Sequence, residues 1–158
     1  MNEAEHIYSK IKAVIRQGEG VWIEFKECNT TLNKDIYETV CAFLNRSGGE
    51  LLPGVRDDGV ITGIVPEYIH QMKNDFSTAV NNPQKICPSF YLSLDQAVID
   101  GQTILYIYIP ESSQVHRCNG KIYDRNEDGD LNITDNHNLV SALYLRKQIS
   151  YSDMSLLQ

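Results

Sequence analysis

Two acidic constellations have the residue types and spacing to do chemistry. Residues 124–135 read Asp124-Arg125-Asn126-Glu127-Asp128-Gly129-Asp130-Leu131-Asn132-Ile133-Thr134-Asp135, which sets oxygen ligands at positions 1, 3, 5, 7 and 9 of a twelve-residue calcium loop, with Gly at position 6. Asp124, Asn126, Asp128, Asp130 and Asp135 are the candidate Ca²⁺ ligands. Position 12 is Asp where a bidentate Glu is usual, and the stretch before the loop reads as a strand where a helix is required. A solvated turn rich in Asp and Asn is the stronger reading. The second constellation is Glu19 and Glu24, five residues apart across a strand start. With a third carboxylate, such a pair can hold a divalent metal and activate water. His116 and Cys118 form an HxC pair, too little for a zinc site, and the four cysteines Cys28, Cys41, Cys87 and Cys118 show no CxxC spacing and suit reduced thiols.

The elements that must position these residues follow from periodicity. Ile7, Ile11, Val14 and Ile15 predict an amphipathic helix over 3–17, ended by Gly18 and Gly20. Residues 21–27 alternate Val21, Ile23 and Phe25 with Trp22, Glu24 and Lys26, a strand with one buried face. Asn33 is placed to cap a helix with the stripe Ile36, Val40, Phe43 and Leu44, stopped at Ser47-Gly48-Gly49. Residues 50–55 and 60–65 flank Asp58-Gly59 as a hairpin, in which Pro53 demands a short, edge or bulged strand. A helix over 66–81 precedes strands at 90–99 and 103–109, the later one central. Asn119-Gly120 marks a type I′ turn, and 137–148 reads as a helix. Interleaved strands and helices imply an α/β fold, an α+β two-layer sandwich with helices packed mainly on one face of a mixed sheet.

From Gly18 to Gly63 three motifs stand in order: the strand GVWIEFKE, the helix end AFLNRSGG and the hairpin GVRDDG. This segment resembles the Schlafen-type AlbA-like domain, a family of nucleic-acid-binding modules found in bacterial regulators and in the Schlafen proteins. With the later sheet, the resemblance covers residues 18–134, leaving an N-terminal helix at 1–17 and a C-terminal helix and tail at 135–158, which the resemblance sets as the expected lead into a further domain. It implies an AlbA-like fold and a DNA-binding module of a transcriptional regulator, without a cofactor and not an enzyme, with DNA or RNA as partner and a homodimer as its assembly. Schlafen members that cut RNA carry a carboxylate trio, and Glu19, Glu24 and Asp57 stand where it maps, with Asp58 an equal candidate for the third place. The alternative the resemblance carries is therefore an Mg²⁺- or Mn²⁺-dependent endoribonuclease. A protein-interaction or dimerisation module is a further alternative.

Charge restrains the binding reading. The chain has 14 Lys and Arg against 21 Asp and Glu, a net charge of −7, so nucleic acid must be met by a local patch. Lys26, Lys34, Arg46, Arg56, Lys121 and Arg125 are the candidate nucleic-acid contacts, drawn from strand, helix ends and hairpins. Gly49-x4-Gly54 is followed by Val55-Arg56 where a phosphate loop needs Lys-Ser or Lys-Thr, which excludes nucleotide binding through a Walker motif. A polar start and no apolar run long enough to span a bilayer set the expectation of a cytoplasmic chain with no membrane partner.

Overall fold

A computed structural model describes the backbone of residues 2–156 and the side chains of residues 2–149. Helix α1 (Glu3–Gln17) starts on a reciprocal cap, Asn2 Oδ1 accepting from Glu5 N at 2.8 Å while Asn2 N donates to Glu5 Oε2. It is followed by β1 (Ile23–Lys26), α2 (Ile36–Asn45), β2 (Gly49–Pro53), a 3₁₀ turn at Pro66–Tyr68 and α3 (Ile69–Val80). Then come β3 (Ile86–Cys87), β4 (Leu94–Ile99), β5 (Gln102–Ile109), β6 (Arg117–Cys118), β7 (Tyr123–Asn126), β8 (Gly129–Asn132) and α4 (His137–Leu156).

The main sheet has the order β1-β2-β5-β4, with β1 and β2 parallel across the α2 crossover and the other neighbours antiparallel. This is a mixed α+β fold, as the interleaved pattern implies, with β5 central. Period-two alternation sorts the residues onto two faces. Leu51, Ile107 and Ile109 pack under Val40, Phe43 and Leu44 of α2 and Phe76 of α3. Ile23, Phe25, Leu52 and Ile104 pack under Ile11 and Val14 of α1. Each such fully buried side chain contributes about 1.5–3 kcal/mol by leaving water. Small ladders β3–β6 and β7–β8 stand beside the main sheet.

Pro53 is accommodated by a short strand in the middle of the sheet instead of at its edge. Glu50 N and Gly54 N donate to Trp22 O and Lys26 O of the β1 side, so the Pro53 nitrogen faces β5, where the ladder has already ended at Leu51. The hairpin expected over 50–65 is reduced to one bridge between Val55 and Ile61. Thr62 N and Gly63 N both turn onto Gly54 O, and Ile64 N crosses to Thr103 O at 2.8 Å, so no second strand forms. Asn33 does not cap α2. Its Nδ2 donates to Glu27 O, and Asp35 holds the cap position without a side-chain bond. Gly48, at φ 73°, brings the end of α2 so close to β5 that a Cβ there would strike the Ile109 carbonyl and the Glu111 nitrogen. Among the described residues no helix is long and apolar enough to cross a membrane.

Candidate functional site

The strand β7 delivers Arg125 to the outer edge of β1. Its side chain is only 2% exposed. Nη1 donates to Asp130 Oδ1 at 2.7 Å, and Nη2 to Glu24 Oε1 at 3.0 Å and Gly20 O at 2.8 Å. Nε reaches Val21 O at 3.0 Å, and the guanidinium lies 4.5 Å from the Phe43 ring centre. A planar fork with several donors is the side chain that can tie one strand edge, two carboxylates and an aromatic face together. Asp130 also accepts from Thr39 Oγ1 at 2.6 Å, which locks the hairpin onto α2.

Glu24 carries the perturbed chemistry of this site. Burial pushes its carboxyl up to about 7, and the neighbouring Glu19 carboxyl adds to the rise while Lys26 and Arg125 oppose it. One guanidinium is shared between Glu24 and Asp130, and Lys26 is turned to Asp35 at 3.2 Å, so the local charge stays negative. Glu19 itself is exposed and accepts from Phe25 N at 2.9 Å.

The pattern that defines the family described as Schlafen, AlbA_2 matches residues 19–134 of this chain. The chain belongs to that family. Among solved structures, the DIP2311 protein of Corynebacterium diphtheriae is similar in fold, with a TM-score of 0.58 and 16% identity over 81% of this chain and 30% of that one. The chain thus spans about 30% of the length of that protein. The N-terminal domain of a RecG-related protein of Nitrosomonas europaea matches with 25% identity and a TM-score of 0.49, over 70% of this chain and 74% of that one. No curated protein matches.

Within this AlbA_2 domain the two expected acidic sets are arranged differently. Glu19 and Glu24 come together, whereas Asp57 sits exposed in the turn where Arg56 pairs with Asp58 at 2.7 Å. Among the described residues no group of three or more His, Cys, Asp or Glu side chains is gathered to hold a metal ion. The third carboxylate of the expected trio is thus not gathered with Glu19 and Glu24. Residues 124–135 open with the β7–β8 ladder. Asp124 grips Arg46 through two bonds of 3.0 and 2.9 Å, Asp130 faces Arg125, and Asn126 Oδ1 accepts from Asp128 N.

Of the six expected cations, Lys26, Arg46, Arg56 and Arg125 are held by Asp35, Asp124, Asp58 and Asp130 with Glu24. Lys34 and Lys121 are exposed and form no ion pair among the described residues. Sequence reasoning passed over two clusters. Lys147 of α4 is buried and donates to Leu44 O and Ser112 O, and Arg146 reaches Asn45 O, so the cations of α4 satisfy the last carbonyls of α2. His116 is buried between Ser112 Oγ, 2.6 Å from Nε2, and Pro88 O, 2.7 Å from Nδ1, and burial holds its pKa below the usual value. Neither cluster has a local sequence signature, because each is completed by a backbone carbonyl distant in the chain, Pro88 O for His116 and Leu44 O for Lys147.

Proposed function

We propose that this AlbA_2 domain binds nucleic acid through the lobe built on β3 and β6. The observation that carries the reading is a segregation of charge. Residues 76–94 and 112–123 contain no Asp or Glu in a chain of net charge −7, and they hold Lys85, Arg117 and Lys121. The fold joins the two segments through the pairs Ile86↔Cys118 and Cys87↔Arg117, and Asn119 N donates to Lys85 O. None of the three cations forms an ion pair among the described residues. Tyr91, in the same acid-free stretch, is 80% exposed, and Lys85 Nζ lies 5.0 Å from the Tyr37 ring centre. Cations without an ion-pair partner, in acid-free segments that also carry an exposed aromatic ring, suit a phosphate backbone and an unpaired base, although Glu38 of α2 borders the lobe.

Lys121 belongs to the contact set expected from the sequence; Lys85 and Arg117 extend it. The finer reading is a DNA-binding module of a transcriptional regulator, with residues 18–134 as the module; the family supports the nucleic-acid part of it. The test is fluorescence anisotropy with labelled duplex DNA, single-stranded DNA and structured RNA in rising salt, each sample then run on a gel. Binding that weakens log-linearly with salt and leaves the probe intact supports the proposal. A probe shortened only when Mg²⁺ or Mn²⁺ is added turns the answer to the nuclease, and no binding to any probe defeats the reading.

A further inference from the structure

The main sheet has two edges, and the fold treats them differently. The outer edge of β1 is closed by Arg125, which takes the carbonyls of Gly20, Val21 and Ile23. At the other end β4 pairs with β5 alone, and among the described residues no backbone hydrogen bond outside that pairing reaches Leu94–Ile99. The β4–β5 turn has φ 51° at Asp100 and 81° at Gly101, a two-residue turn of the I′ kind. That turn makes Ile99 and Gln102 a hydrogen-bonded pair, so Ala97 and Asp95 also bond inward by alternation. Leu94, Gln96 and Val98 then present their N–H and C=O groups outward. Thr103, opposite Val98, fits this phase, since its carbonyl is turned away to accept from Ile64 N.

This open edge forms one wall of a groove whose other wall is α1. Ala4, Ile7 and Tyr8 face Gln96, Ala97 and Val98 across a space of about 1100 Å³, above the roughly 300–1,000 Å³ of small-molecule pockets. Exposed edges in natural sheets are usually guarded by lysine, proline or a bulge. β4 has none of these; its one charge is Asp95, and Val98 is 60% exposed. The rim carries three exposed acids, Glu3 and Glu5 on α1 and Asp95 on β4, against one cation, Lys10, whose Nζ lies 5.3 Å from the Tyr106 ring centre, while the nearby Lys12 is bound to Asp100 at 2.7 Å. A second copy of this chain would set the same acids against each other.

We propose that the groove between α1 and β4 binds an extended, positively charged peptide segment of a partner protein, which joins the sheet as a fifth strand. Main-chain bonds to Leu94, Gln96 and Val98 supply the affinity, apolar side chains fill the slot against Ile7 and Ala97, and cationic side chains meet Glu3, Glu5 and Asp95. This inference stands apart from nucleic-acid binding, which uses the lobe of β3 and β6.

The test is an NMR amide titration of the whole chain with a synthetic octapeptide alternating Val and Lys, beside an alternating Val and Glu peptide. The expected result is saturable shifts centred on residues 94–99 and on Ile7 and Tyr8 with the Lys peptide, and none with the Glu peptide. Gln96→Pro removes only an outward donor, so the β4–β5 ladder stays intact and the affinity falls about tenfold or more. Val98→Lys, which repels the same peptide without touching the backbone, is the second variant and is expected to weaken it as well. Shifts elsewhere, equal binding of both peptides, no binding at millimolar peptide, or a dimer through β4 in light scattering would each overturn the proposal.

Discussion

Arg125 bears the greatest single responsibility for the arrangement of the site. It is buried, shared between Glu24 and Asp130, and bonded to three carbonyls of the β1 edge. Removing one partner of a buried ion pair leaves the others uncompensated, so Arg125→Ala is expected to lower unfolding stability by about 3–5 kcal/mol in urea titrations. Arg56→Ala, which breaks the exposed pair with Asp58, is expected to leave the urea midpoint unchanged. Glu24 makes a second prediction at this scale. Its folded carboxyl is raised from 4.5 to about 7, so between those values the folded protein holds a proton that the unfolded chain has released. That contribution is fully present below about 4.5 and is lost as pH rises through about 7. Wild type is therefore expected to lose stability relative to Glu24→Gln between about pH 5 and about pH 8, read from urea midpoints. A constant difference would mean that Arg125 holds Glu24 ionised throughout.

At the level of elements, α4 is a strap across the end of α2. Lys147 donates to Leu44 O at 3.1 Å and to Ser112 O at 2.8 Å from a buried position, and burial pulls its pKa below the usual lysine value. Lys147→Met keeps the apolar stem but orphans two buried carbonyls, and a loss of about 2–3 kcal/mol is expected, with faster amide exchange in the last turn of α2. Exchange confined to α4 would show that the strap does not hold α2. The elements themselves were largely legible in the sequence, because the stripes Ile11-Val14 and Val40-Phe43-Leu44 and the alternation Ile23-Phe25 reflect burial that the structure realises. Where reading failed, a distant partner decided. Asp58-Gly59 forms its turn, but Ile64 N is taken by Thr103, so the second strand never pairs. Asn33 loses its capping role to Glu27 O. Pro53 sits in a central strand because β5 stops pairing two residues earlier, a register that no local pattern encodes.

Over the whole molecule, charge decides what the surface can meet. A list of cations along the chain does not say which ones are neutralised. Arg46, Arg56 and Lys26 look free in sequence and are each held by an aspartate in the fold. Lys85 lies far in the chain from Arg117 and Lys121, and the β3–β6 ladder gathers the three in segments that hold no acid of their own. The most direct measurement is the salt dependence of duplex DNA binding for wild type and for Lys85→Gln/Arg117→Gln/Lys121→Gln, by fluorescence anisotropy at several salt concentrations. Each lost phosphate contact removes about 0.9 from the slope of log affinity against log salt, so the triple variant is expected to bind more weakly with a slope shallower by about 2.7. An unchanged affinity and slope in the variant would contradict the placement of the interface, and a wild-type chain that binds no duplex, single strand or RNA would contradict nucleic-acid binding itself.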